Sequence, residues 1–141
     1  MTALKLATQW NDIQAAAATV NASGTKPNFA ARIPYRTGGG ALTSIALSFY
    51  NWYLAAASTG AITNTGNSYE ITGANIEYNG VVVPLTFSGA AGRVIANGES
   101  DVLTDEIPAS AFGVASIPNN AMIYVKHKGF VTGSQPTPYS G

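Results

Sequence analysis

The chain has 141 residues, 46% hydrophobic and 10% charged, and its seven bases and seven acids cancel to a formal net charge of zero. That length makes one domain able to bury a core without covalent staples, with a surface far less charged than the roughly 25% of ordinary soluble domains. The bases Lys5, Lys26, Arg32, Arg36, Arg93, Lys126 and Lys128 form no run and cysteine is absent, which argues against nucleic-acid binding and excludes disulfides, thiolate catalysis and iron–sulfur clusters.

From the N-terminus, residues 4–20 space Leu6, Trp10, Ile13, Ala17 and Val20 by four, three, four and three. That is the stripe of an amphipathic α-helix about 25 Å long. Thr2 caps its start and residues 21–24 stop it. Helices of this length are marginal alone, so the stripe either packs on the chain's own sheet or serves oligomerisation or docking through Leu6, Trp10, Ile13 and Val20. Gln9, Asn11, Asp12 and Gln14 interrupt any signal-peptide core, and no run approaches the roughly 18 apolar residues of a membrane span. No membrane insertion and no conventional secretion are expected.

Strand signals follow. Residues 28–36 (NFAARIPYR) form a Pro-interrupted strand suited to a sheet edge. After three glycines, residues 42–54 place Ile45, Leu47 and Phe49 on a core face and Ser44, Ala46, Ser48, Tyr50 and Trp52 on the other. Residues 55–68 read as a small-residue loop. Residues 69–88 form a β-hairpin about Asn79-Gly80, a pair suited to a type I′ turn. Pairing outward sets Tyr78 opposite Val81, Ile76 opposite Val83 and Ala74 opposite Leu85, so one face is apolar on both arms. Further extended segments are expected at 93–96, 100–107, 111–117 and 121–131, the last with Ile123 and Val125 facing opposite to Tyr124, Lys126 and Lys128. The expected fold is all-β: an antiparallel β-sandwich or jelly roll over 25–132, preceded by the helix of 1–24 and followed by a tail or linker at 133–141.

Catalytic groupings are sparse. The single histidine, His127, falls at core-face spacing, at the rim and bonded to backbone. The sequence Gly98-Glu99-Ser100-Asp101 lacks the strand-turn-helix context of a nucleophilic serine. Glu99, Asp101, Asp105 and Glu106 cluster without calcium-loop spacing and read as a solvated strand edge. Glu70 and Glu77, seven apart, are expected on opposite faces. No catalytic residue, cofactor or metal site is assigned. Tyr50 and Trp52 either lie under a second sheet or the helix, or offer flat faces to a sugar ring or subunit, with Arg32 and Arg36 adding polar contacts.

Within residues 74–125, the segments IEYNG, TFSGAAGRVIANGE and SDVLTDEIP, followed by MIYVKHKG, resemble the β-sandwich modules that accompany SGNH (GDSL-like) hydrolase domains in phage and bacterial proteins. The hydrolase's Gly-Asp-Ser-Leu block and Asp-x-x-His are absent, so the resemblance carries over no catalytic residue. It implies a sandwich associated with phage particles and glycan surfaces. The expected function is therefore non-enzymatic: a virion structural subunit of a fibre, spike or other appendage, partnered by its own copies, other virion proteins and a host surface glycan. The alternative is a carbohydrate-binding accessory module of a cell-envelope SGNH-type esterase, secreted or at the cell surface.

Overall fold

The computed structural model describes residues 8–9, 28–54, 62–64, 66 and 68–131. In chain order the strands are β1 (Thr8–Gln9), β2 (Asn28–Thr37), β3 (Ser44–Ile45), β4 (Ser48–Phe49), β5 (Trp52–Leu54), β6 (Ile62–Asn64), β7 (Tyr69–Tyr78), β8 (Val81–Leu85), β9 (Arg93–Ile95), β10 (Val102–Leu103), β11 (Ile107–Pro108) and β12 (Met122–Val131). A 3₁₀ turn, η1, covers Ala109–Phe112. The described chain is all-β, and every strand pairing in it is antiparallel.

The hairpin of β7 and β8 forms with the expected register. Asn79 and Gly80 take φ of 49° and 80°, and Tyr78, Ile76 and Ala74 face Val81, Val83 and Leu85. It belongs to a six-stranded sheet of order β1-β2-β12-β7-β8, with β9 also on β7. β2 meets β1 only at Arg36 and Thr37, so most of β2 has a described strand on one side alone, as Pro34 requires of an edge.

One face of this sheet is the core. Tyr69, Ile71, Ala74, Ile76, Leu85, Ile95, Ile123 and Val125 are buried there against Ile45, Phe49, Phe87, Val102, Ile107, Phe112 and Ile117. Those partners come from the short ladders β3–β11 and β4–β10, η1 and adjoining segments. Phe49 stacks obliquely on Phe87 with centroids 5.6 Å apart, and Tyr78 meets Phe112 edge-on at 6.0 Å, geometries that aromatic quadrupoles favour.

Four local expectations differ from the structure. The strand expected over 42–54 is three short strands with different partners, β11 for β3, β10 for β4 and β6 for β5, although Ile45 and Phe49 are buried as expected. The expected loop at 55–68 contains β6. The expected strand at 111–117 is the end of η1, stopped by Gly113 at φ 74° and followed by an isolated bridge from Ile117 to Leu42. Thr8 and Gln9 are extended and paired with β2 rather than helical. The rest of the expected helix lies outside the described residues, with Leu6, Trp10, Ile13, Val20 and the tail at 133–141.

A β-bulge in β7 alters which residues share a face. Lys128 pairs with Gly73 and Gly129 with Ile71, leaving Thr72 as the additional residue. Buried positions therefore step from Ile71 to Ala74, and side-chain parity reverses across the bulge. Glu70 and Glu77 consequently share the outer face, correcting the expectation from their spacing.

Candidate binding face

The outer face alternates with the core face along each strand. It carries Arg32, Pro34 and Arg36 of β2, Tyr124, Lys126 and Lys128 of β12, and Glu70, Asn75 and Glu77 of β7. Val82 and Pro84 of β8 and Val94 of β9 extend it. Four of the chain's seven bases thus lie on one sheet face. Glu77 organises part of this group: Lys126 Nζ lies 2.6 Å and Arg32 Nη2 3.5 Å from its Oε2. The hydrogen bond from Lys126, reinforced by both positive charges, holds the Glu77 carboxyl below its ordinary pKa. The Arg32 guanidinium also sits 3.6 Å from the centroid of the Tyr124 ring, a cation–π contact. Arg36 Nη1 donates to the carbonyl and Oδ1 of Asn120 at 3.4 and 3.3 Å, tying the sheet to the 118–120 turn.

Beside this network is an open cleft of about 650 Å³. Arg32, Lys126 and Lys128 line it together with Thr72, Gly73, Asn75, Pro84 and Thr86. At Gly73 a Cβ would stand 3.3 Å from Lys128 Cε, so the missing side chain makes room for the lysine stem. Thr86 Oγ1 donates to Asp105 Oδ2 at 2.6 Å.

The expected sugar platform is not gathered in one place. Arg32 and Arg36 are exposed on the outer face. Tyr50 is half-buried, and burial raises its hydroxyl pKa. Tyr50 lies near enough to Tyr35 to raise that residue's pKa further, beyond the dominant effect of burial. Tyr35 pairs with Ile123 on the core face. Trp52 occupies β5, with its side chain outside the described residues.

The carboxylates of 99–106 serve separate local structures. Glu99 accepts from Ala96 N at 2.8 Å and Arg93 Nη2 at 3.0 Å. Its pKa is lowered, chiefly by the Ala96 hydrogen bond. Asp105 accepts from Thr86 Oγ1 and from the backbone N–H groups of Ser88 and Gly89 at 3.0 and 2.7 Å. These bonds, the Thr86 bond first, lower its pKa. Glu106 accepts from Ser44 Oγ. No group of three or more His, Asp or Glu placed to hold a metal occurs among the described residues.

His127 is only 4% exposed, deeper than the rim position expected, and meets Phe49 edge-on at 5.8 Å. Burial pushes its pKa down to about 4. Asn51, 1% exposed, was not singled out from sequence. Its Nδ2 donates to the carbonyls of Ile95 and Ala96 at 3.2 and 2.9 Å. The available signal was parity, since Asn51 shares strand phase with Ile45 and Phe49.

Among the described residues no helix is long and apolar enough to cross a membrane. Compared with protein-family models, curated proteins and solved structures, the chain matches none.

Proposed function

We propose that the chain is a structural subunit of a bacteriophage or phage-like virion, within a fibre, spike or other appendage, serving homo-oligomeric assembly and surface attachment. In this reading the β body is a sandwich or jelly roll that the assembly displays outward. The N-terminal segment supplies an amphipathic helix beyond the Thr8–Gln9 strand, whose Trp10, Ile13 and Val20 join Leu6 in packing against symmetry mates or another virion protein.

One observation carries the proposal. Val82 and Val94 are 49% and 53% exposed on the same sheet face as the ion-paired strip, in a chain only 10% charged. Exposed apolar side chains on a nearly uncharged surface favour association with another surface. The resemblance of residues 74–125 to modules beside SGNH hydrolase domains in phage and bacterial proteins supports the same reading.

A second reading, a carbohydrate-binding accessory module of a cell-envelope SGNH-type esterase, is supported by the Arg32 guanidinium lying over the Tyr124 ring on the outer face. Absolute mass in solution separates the two. Light scattering on the 141-residue chain and on a form lacking residues 1–24 is expected to give a defined oligomer and a monomer respectively. A monomer in both cases overturns homo-oligomeric assembly and leaves the accessory-module reading.

A further inference from the structure

The cleft on the outer face is a distinct arrangement from the sugar platform expected around Tyr50 and Trp52. Arg32 comes from β2, Lys126 and Lys128 from β12, and the floor from β7 at its bulge. The insertion of Thr72 brings Thr72 and Gly73 together opposite Lys128. Gly73 leaves a trough in which the Lys128 stem lies.

The charges in the cleft are unevenly committed. Lys126 is held by Glu77 at 2.6 Å, whereas Arg32 approaches the same oxygen only at 3.5 Å. A guanidinium has five N–H donors, so Arg32 retains donors for a ligand. Lys128 is exposed and enters no ion pair among the described residues. The lining contains three cations and no carboxylate, with Glu77 paired to two of them. A modest positive surplus remains, beside the amide of Asn75 and the hydroxyls of Thr72 and Thr86, which donate to the Lys128 carbonyl and to Asp105 and keep their oxygens as acceptors.

We propose that this cleft binds the carboxylate of an acidic polysaccharide, with Lys128 and Arg32 on the carboxylate and Asn75 and Thr72 on neighbouring hydroxyls. The inference rests on the attachment half of the proposed function and names the surface chemistry involved. The small surplus suits one carboxylate per sugar better than a densely charged polyphosphate, whose binding depends on many neutralised phosphates. The open cleft admits a chain passing across the sheet, and its polar residues match the hydroxyl-rich remainder of a sugar. The Tyr124 ring beneath the Arg32 guanidinium restricts that side chain before a ligand arrives, limiting the ordering cost of binding.

The test is calorimetric titration of the full 141-residue chain, at low ionic strength, with oligogalacturonate and with its fully methyl-esterified, uncharged counterpart. Oligogalacturonate is expected to bind and the ester to bind much more weakly. Lys128→Gln is expected to weaken binding about fivefold, the scale of one lost exposed charge contact. Glu77→Gln is expected to strengthen it by releasing Lys126 and Arg32. Arg93→Gln makes the same charge change at β9, outside the cleft, and is expected to leave affinity unchanged.

Equal weakening by Lys128→Gln and Arg93→Gln overturns the site in favour of a general charge effect. Equal binding of acid and ester overturns the carboxylate assignment while leaving attachment intact. Binding of neither polymer, with the oligomer still formed, overturns the inference and attachment to this class of glycan together, but not assembly.

Discussion

At the residue scale, His127 ties stability to pH. Burial holds its pKa in the folded chain at about 4, against an ordinary value of 6.5. Above pH 6.5 both states are neutral at this side chain and its contribution is complete. Between 6.5 and 4 the unfolded chain binds a proton that the native chain does not, so stability falls as pH falls. The integrated loss is about 3 kcal/mol at this depth of burial. Urea midpoints measured at pH 7 and pH 4.5 are expected to separate widely for the natural chain and much less for His127→Leu. Equal separations would refute the assignment. The lowered pKa values of Glu77, Glu99 and Asp105 also favour the fold above the ordinary carboxylate range, and that benefit is lost at lower pH in both proteins.

Strand alternation from Ile123 and Val125 was enough to aim His127 inward. Its depth depended on Phe49, contributed by a distant segment, and was not readable locally. The association of Arg32 with Lys126 was likewise hidden, because β2 and β12 lie near opposite ends of the described body and meet only through long-range pairing.

At the element scale, the most legible unit was the one whose turn chemistry and alternation agreed. Asn79 and Gly80 both accept positive φ, and any slip of the β7–β8 register would turn Ile76 and Leu85 outward. The bulge left a subtler signal: the apolar positions Tyr69, Ile71, Ala74 and Ile76 are separated by two, three and two residues. A step of three within a period-two pattern marks an inserted residue. The strand expected at 111–117 overlaps η1 only at Ala111 and Phe112, and the turn's buried pair, Ala109 and Phe112, is three apart, as the 3₁₀ repeat spaces it.

Two changes probe how tightly these elements are set. A Cβ on Gly92 would stand 2.6 Å from the Ile71 carbonyl oxygen, within a ladder that cannot easily withdraw. Gly92→Ala is therefore expected to cost about 1–3 kcal/mol. In the turn between Phe87 and Ala90, Ser88 holds φ at 52°, a left-handed conformation that asparagine tolerates better. Ser88→Asn is expected to raise stability by about 0.5 kcal/mol. Chemical denaturation measures both changes, and opposite signs are the expected result.

At the scale of the whole molecule, one sheet face supplies the core and the other combines charge pairs with exposed valines. If assembly uses that apolar margin, Val82→Lys combined with Val94→Lys lowers the particle mass seen by light scattering while far-UV circular dichroism remains unchanged. Retention of both signals would direct attention to the N-terminal segment instead. Composition raised the expectation of association, through low charge and a high apolar fraction. It did not reveal the face, because sharing a face depends on the order of strands.

The proline in β8 has a consequence for the chain at high concentration. A two-residue turn makes Tyr78–Val81, Ile76–Val83 and Ala74–Leu85 the hydrogen-bonded pairs, so the backbone nitrogen of Pro84, opposite Asn75, points away from β7. An incoming strand would find no amide hydrogen there. Templated cross-β growth along this margin is thereby interrupted, and crowded copies are disfavoured from polymerising edge to edge into amyloid-like ribbons.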